Sequence, residues 1–110
     1  MAQLKENPTL RDLQGYAKEF CEEKGFDKDT SLKDFLLFSE EVGELAKCIR
    51  NAEGIRVETA KDNNIELEEE FADVFHYLLN LANKFHVDLE KAFREKALLN
   101  QKRVWKVQPD

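Results

Sequence analysis

Two short acidic stretches of the sequence carry residues that could bind a metal ion, SEEVGEL at residues 39–45 and EEFADV at residues 69–74. Successive residues of an α-helix lie about 100° apart around its axis, which places Glu41 inside an apolar arc of the first stretch. Glu44 lies one turn further at the edge of this arc, whereas Glu40 points further round. A buried carboxylate is unfavourable unless a partner compensates its charge, so a solvated acidic face explains Glu40 but not Glu41.

The second stretch offers matching carboxylates on the next predicted helix. One flank of that helix carries Glu66, Glu70, Asp73, Tyr77 and Asn80. Taken alone, such a flank is typical of a solvated face. If the two helices pack together, however, acids spaced at i and i+3 on each of them converge. The acids with this spacing are Glu41 and Glu44 on one helix and Glu70 and Asp73 on the other, and four converging carboxylates would imply a cation. A set of oxygen ligands favours a hard cation, magnesium or manganese before calcium.

A third group of polar residues lies near the C-terminus. Lys96, Asn100 and Arg103 follow one another at i, i+4 and i+7, so a helix presents them on one face. This spacing suits the binding of an anion such as a phosphate. The alternative is that these long side chains extend into solvent from the end of a helix, where cations also interact favourably with the helix dipole.

These residues require helices to position them, and the sequence predicts an all-α fold of four helices. The predicted helices cover residues 9–24, 32–52, 63–85 and 89–103. Gly25 is the expected stop of the first helix, Thr30 or Ser31 the N-cap of the second, Asn63 with Glu66 a capping box for the third, and Asp88 the N-cap of the fourth. The expected core stripe of the third helix is Leu67, Phe71, Val74, Leu78, Leu81 and Phe85. We interpret residues 1–110 as a single domain with a core at about 10–103 and a tail at 104–110.

The composition restricts the class of protein. A net charge of −6 argues against a nucleic-acid partner, since binding to phosphate backbones needs a basic surface. No stretch of the sequence has the length and apolarity of a membrane span or a secretion signal. Cys21 and Cys48 show no metal-binding spacing and are expected to be small buried residues of a reducing compartment. The expected location is the cytoplasm.

The two acid motifs together with the K-x3-N-x2-R helix resemble the MazG-like family of all-α nucleoside triphosphate pyrophosphohydrolases, close to its dCTP pyrophosphatase branch. The resemblance covers about residues 10–103. It implies hydrolysis of a nucleoside triphosphate, with a deoxynucleotide favoured, to the monophosphate and pyrophosphate. It also implies an oligomeric helical bundle, a homodimer or homotetramer.

The resemblance further implies a role for each group of site residues. The four acids would hold magnesium, with manganese as a substitute, and Glu40 would orient or deprotonate the attacking water. The residues implied to bind the phosphates are Lys96, Asn100 and Arg103.

The sequence departs from the dCTP branch at the positions that surround the base. A histidine position of the first helix is Ala17, and two tryptophan positions are Phe26 and Asn51. Tyr77 is kept. Phe26 and Tyr77 are therefore the expected base-binding residues, although both also suit a core or an interface, and the preferred base stays open.

Three other interpretations fit parts of the pattern. Asp73-x-x-His76 is similar to one ligand pair of a di-iron bundle, but that fold needs two such pairs. Otherwise His76 and His86 are expected at the surface or at a helix end. A non-catalytic helical interaction module would use its acids for solubility or for a basic partner. A pyrophosphohydrolase acting on phosphoribosyl-ATP or another nucleotide metabolite would share the same site.

Overall fold

A computed structural model describes residues 1–57 and 67–108 of the chain. Four α-helices follow one another in it: α1 (Leu10–Lys24), α2 (Ser31–Ala52), α3 (Leu67–Lys84) and α4 (Leu89–Lys102). One turn of 3₁₀-helix (Phe26–Lys28) joins the first two helices. The described residues contain no strand, and the all-α prediction is confirmed. No helix among them is both long and apolar enough to cross a membrane.

The helix ends follow from local capping chemistry. The Thr9 side chain and the Asp12 side chain form a reciprocal capping box at the start of α1. Thr30 and Asp88 each accept a hydrogen bond from a backbone N–H of the helix that follows, at the start of α2 and α4. These contacts satisfy N–H groups that have no partner within the helix. The predicted Asn63–Glu66 capping box lies outside the described residues.

Gly25 ends α1 in the left-handed conformation, with φ 75° and ψ 13°, and its N–H donates to carbonyls of the last turn. A Cβ at this position would meet no atom within 4 Å. The penalty for a side chain here is therefore conformational, since L-residues disfavour positive φ. We expect Gly25→Ala to lower the free energy of unfolding by about 1 kcal/mol, measured by urea denaturation.

Gly15 provides the matched control for this substitution. It lies inside α1 on the exposed face, and a Cβ there would also meet nothing within 4 Å. Gly15→Ala is expected to stabilise the protein by about 0.5–1 kcal/mol, because alanine has the higher helix propensity. Equal effects of the two substitutions would contradict the role given to the left-handed cap.

Helix α3 lies between α1 and α2 and runs antiparallel to both. Against α1, the Gln14 amide donates to Asn83 Oδ1 at 3.1 Å, and further along the Phe20 ring meets the His76 ring edge-to-face. Against α2, Asp34 lies beside Lys84, and Glu41 lies near the other end of α3. The groove between α2 and α3 therefore carries the polar residues of both helices.

The apolar stripe predicted for α3 is not the core of the described chain. The residues of α3 that are buried are Leu79 and Ala82, whereas Phe71 and Phe85 of the stripe are 53% and 64% exposed. The prediction was wrong for these two residues, which α1 and α2 leave uncovered, whereas Leu67, Val74 and Leu81 of the stripe are half-buried. No large side chain among the described residues is fully buried. The uncovered stripe is the kind of apolar patch that marks a protein–protein contact.

Candidate metal and nucleotide site

Three carboxylates meet in the groove between α2 and α3. Glu41, Glu70 and Asp73 each offer an oxygen, and these three oxygens all lie within 4.8 Å of one another. Glu41 and Glu70 are half-buried, and Asp73 is exposed. We call these residues the acid trio. The sequence prediction that acids from the two helices converge is confirmed for these residues.

The other two predicted acids lie at the margin of this group. Glu40 and Glu44 are exposed, and neither belongs to the acid trio. Both are nevertheless near enough for their charges to raise the pKa of Glu41. Their carboxylates can therefore contribute to the local field without lying among the converging oxygens.

The electrostatics of the acid trio suit a cation. Burial is the largest cause that raises the pKa of Glu41, followed by the negative charges of Asp73 and Glu70. Glu70 Oε2 is buried and has no hydrogen-bond partner among residues 1–57 and 67–108. A buried carboxylate oxygen without a donor is costly unless a cation compensates it. Clustered oxygens of this kind fit magnesium or manganese.

A cavity of about 370 Å³ adjoins the acid trio. Asp73 belongs to the acid trio and also lines the cavity. The predicted base-binding residues, Phe26 and Tyr77, line it as well. The remaining lining residues are Tyr16, Phe20, Ala72, His76 and Asn80. Aromatic faces next to a charged group are the usual composition of a site for a small molecule with a planar ring.

His76 lies where the sequence analysis did not expect it. The prediction of a surface or helix-end position was wrong, because its ring packs edge-to-face against Phe20 at 5.3 Å between centroids. Burial lowers the pKa of this imidazole, which favours the neutral form. His86 does lie at a helix end, where it is exposed with φ 56°. The aromatic spacing of Phe20 and Tyr16 along α1 was the signal that could have indicated the cavity.

Comparison with known proteins agrees with this geometry. Residues 28–104 match the MazG nucleotide pyrophosphohydrolase domain. The chain belongs to the MazG family. The matched range contains both acid motifs and the whole of α4, so the resemblance seen in the sequence is confirmed.

Curated relatives and a solved structure extend this assignment of the MazG domain. The chain is 34% identical over 100 residues to dCTP pyrophosphatase 1 of Rattus norvegicus, covering 87% of this chain and 59% of that protein. It is 29% identical over 84 residues to the YpjD protein of Bacillus subtilis, covering 76% of each. The crystal structure of B. subtilis YpjD superposes with a TM-score of 0.76 at 26% identity, over 91% of this chain and all of that one. The chain thus spans less than two thirds of the length of the dCTP pyrophosphatase relative.

The predicted phosphate-binding residues of the MazG domain lie on or just after α4, a helix that packs mainly against α1 rather than against the helices of the acid trio. Lys96, Asn100 and Arg103 are exposed. Arg11 anchors the start of α4 through a 2.9 Å contact with Asp88, near the N-terminal end of α1. The acid trio lies towards the opposite end of α1, since Asp73 and Phe20 line the same cavity.

Proposed function

We propose that the protein is a divalent-metal-dependent pyrophosphohydrolase that converts a deoxynucleoside triphosphate to the monophosphate and pyrophosphate. The observation that carries this proposal is that Asp73 belongs to the acid trio and also lines the aromatic cavity. A metal bound by the trio would lie next to a space that suits a planar base. The family assignment supports the same reaction.

The expected metal is magnesium, with manganese as a substitute. Glu41, Glu70 and Asp73 would hold it, and Glu44 from the next turn of α2 would complete or orient the set. When bound, such an ion neutralises phosphate charge and lowers the pKa of a bound water. Glu40 is exposed and directly precedes Glu41 on α2, and its carboxylate would orient the attacking water and accept its proton.

The remaining residues would bind the two ends of the nucleotide. Phe26 and Tyr77 would stack on the base in the aromatic cavity. The names of the dCTP pyrophosphatase relatives support a deoxycytidine nucleotide as the first substrate to test. Lys96, Asn100 and Arg103 would contact the phosphates, and the cations would stabilise negative charge that builds up on the departing pyrophosphate.

The working form of the enzyme is a homo-oligomer, a dimer or a tetramer. The exposed apolar stripe of α3 supports this assembly, since Phe71, Leu78 and Phe85 would be covered by a second copy. The position of α4 supports it as well. Because α4 packs mainly against α1 rather than against the helices of the acid trio, its cations would reach the trio of a neighbouring copy.

Product analysis tests the proposed reaction directly. The purified protein is incubated with magnesium and each of the common NTPs and dNTPs, and the products are separated by ion-exchange chromatography. Monophosphate and pyrophosphate are the expected products. Diphosphate with orthophosphate would contradict the proposed bond cleavage, and no turnover of any nucleotide would favour a non-catalytic module. Omission of the metal is the control, and it should stop the reaction.

A further inference from the structure

Asp34 is a buried acid that the proposed reaction leaves unexplained. It lies on α2, seven residues before Glu41, and its exposed fraction is 7%. Its Oδ2 atom is buried and accepts no hydrogen bond from the described part of the chain. A buried carboxylate normally accepts several hydrogen bonds. Asp34 therefore holds unused capacity to accept them.

Lys84 is the cation nearest to Asp34, and it does not use that capacity. Its Nζ lies 3.8 Å from Asp34 Oδ2, which is beyond hydrogen-bond distance. The ammonium instead donates to the backbone carbonyls of Asp27 and Asp29. Lys84 thus ties the segment after Phe26 to α3. It offsets the negative charge of Asp34 but donates no hydrogen bond to its Oδ2 atom.

Asp34 borders a second cavity, whose wall shares residues with the aromatic one. It lines a space of about 210 Å³. This space shares three residues with the cavity beside the acid trio, namely Phe26, Tyr77 and Asn80. Along α2, the seven residues from Asp34 to Glu41 correspond to about 10 Å. This separation is comparable to the distance from the phosphate of a nucleotide to the far edge of its base.

We propose that the Asp34 carboxylate reads the base of the substrate by accepting a hydrogen bond from an exocyclic amino group. The inference rests on the proposed function and adds the class of base, which is cytosine or adenine rather than uracil, thymine or hypoxanthine. Phe26 and Tyr77 hold the ring, and Asp34 contacts its amino edge. An ionised carboxylate only accepts hydrogen bonds. It therefore pairs with an amino group and opposes a carbonyl oxygen, as aspartate does with cytosine N4 in nucleic-acid recognition.

A purely structural ion pair is the competing explanation of Asp34. The hydrogen-bond geometry weakens it, because Lys84 donates to two carbonyls and its Nζ lies 3.8 Å from the carboxylate, beyond hydrogen-bond distance. Burial is also the largest effect on the pKa of Asp34 and raises it, with Lys84 opposing the shift. The pair alone therefore leaves the desolvation of Asp34 only partly compensated.

The unmodified protein provides the first test. dCTP and dUTP differ in the amino or carbonyl group at one ring position, and dATP and dITP form the same kind of pair. We expect kcat/KM to favour the amino-bearing member of each pair by about tenfold or more. Equal values within each pair would overturn the inference even if every nucleotide is hydrolysed. Binding of dCMP and dUMP, measured by calorimetry, provides the same comparison without turnover. A protein that binds dCMP more tightly but hydrolyses no nucleotide would contradict the proposed function and not the role of Asp34.

Two variants separate base reading from the ion pair. Asp34→Asn adds an amide donor that matches a carbonyl, so we expect the preference for dCTP over dUTP to fall about tenfold or more. Lys84→Met removes the cation and keeps the carboxylate. Because it loosens the segment that carries Phe26, we expect weaker use of both nucleotides with the preference retained.

Three outcomes would assign Asp34 to structure alone: an unchanged preference in Asp34→Asn, a loss of preference only in Lys84→Met, or equal losses in both. Circular dichroism establishes that each variant is folded. If Asp34→Asn does not fold, the paired nucleotides on the unmodified protein decide the inference.

Discussion

Replacing Glu41 with glutamine is expected to lower the metal-dependent release of pyrophosphate by about 100-fold or more. Glu41 is the acid of α2 that meets both acids of α3, with ligand oxygens within 4.8 Å of one another. The amide keeps the shape of the side chain and removes the charge that would hold the ion. Magnesium should consequently no longer raise the melting temperature of the variant. Pyrophosphate release and thermal unfolding with and without magnesium measure the two effects.

The same substitution should act in the opposite direction on the metal-free protein. The pKa of Glu41 is raised above its ordinary value of 4.5, so folding disfavours its ionised form. The protonated Glu41 side chain therefore favours the folded state at low pH, and the folded state loses this contribution as the pH rises above 4.5 and Glu41 ionises. Glu41→Gln removes that loss and should raise the melting temperature at pH 7 without metal.

Glu68→Gln is the matched control for this prediction, since Glu68 is an exposed acid in the first turn of α3. It should change neither the activity nor the response to magnesium by more than about twofold. A Glu41→Gln variant that keeps its activity and its response to magnesium would remove Glu41 from the metal site.

The second large effect concerns α4. Lys96→Ala is expected to lower kcat/KM by about 10- to 100-fold, because a charged contact to phosphate is worth about 1.5–3 kcal/mol. If α4 serves the neighbouring copy, a mixed oligomer of Lys96→Ala and Glu41→Gln chains regains activity. One of its sites then combines an intact Glu41 from one chain with an intact Lys96 from the other.

The mixed oligomer is prepared by co-expressing the two variants with different affinity tags and purifying through both tags. Activity well above that of either variant alone is the expected result. No gain in the mixed oligomer would mean that each α4 serves its own chain. Lys91→Ala is the control, since Lys91 is exposed in the first turn of the same helix and outside the predicted phosphate face.

Much of this fold could be predicted from the sequence because its signals are local. Gly25, Thr30 and Asp88 end or begin helices through contacts within a few residues, and each lies where the sequence predicts it. The half-buried position of Glu41 could also be predicted from helical periodicity. With the family motif added, so could its convergence with the acids of α3.

The errors arose where the answer depends on which helices are neighbours. Periodicity identified an apolar stripe on α3 but could not show that α1 and α2 leave Phe71 and Phe85 of this stripe exposed. His76 is half-buried because Phe20 of α1 packs against it, a contact between residues far apart in sequence. The burial of Asp34 could not be predicted for the same reason. Lys84 lies on α3, and the cavity beside Asp34 is lined partly by α3 and by the turn that follows α1.

The central claim is that the acid trio binds a divalent cation, and anomalous diffraction from crystals grown with manganese tests it most directly. The predicted result is an anomalous peak between Glu41, Glu70 and Asp73, at about 2 Å from carboxylate oxygens. The peak should vanish in the Glu70→Gln protein, because Glu70 contributes the buried oxygen that has no described hydrogen-bond partner. A manganese ion found elsewhere, with no peak among these three side chains, would contradict the account.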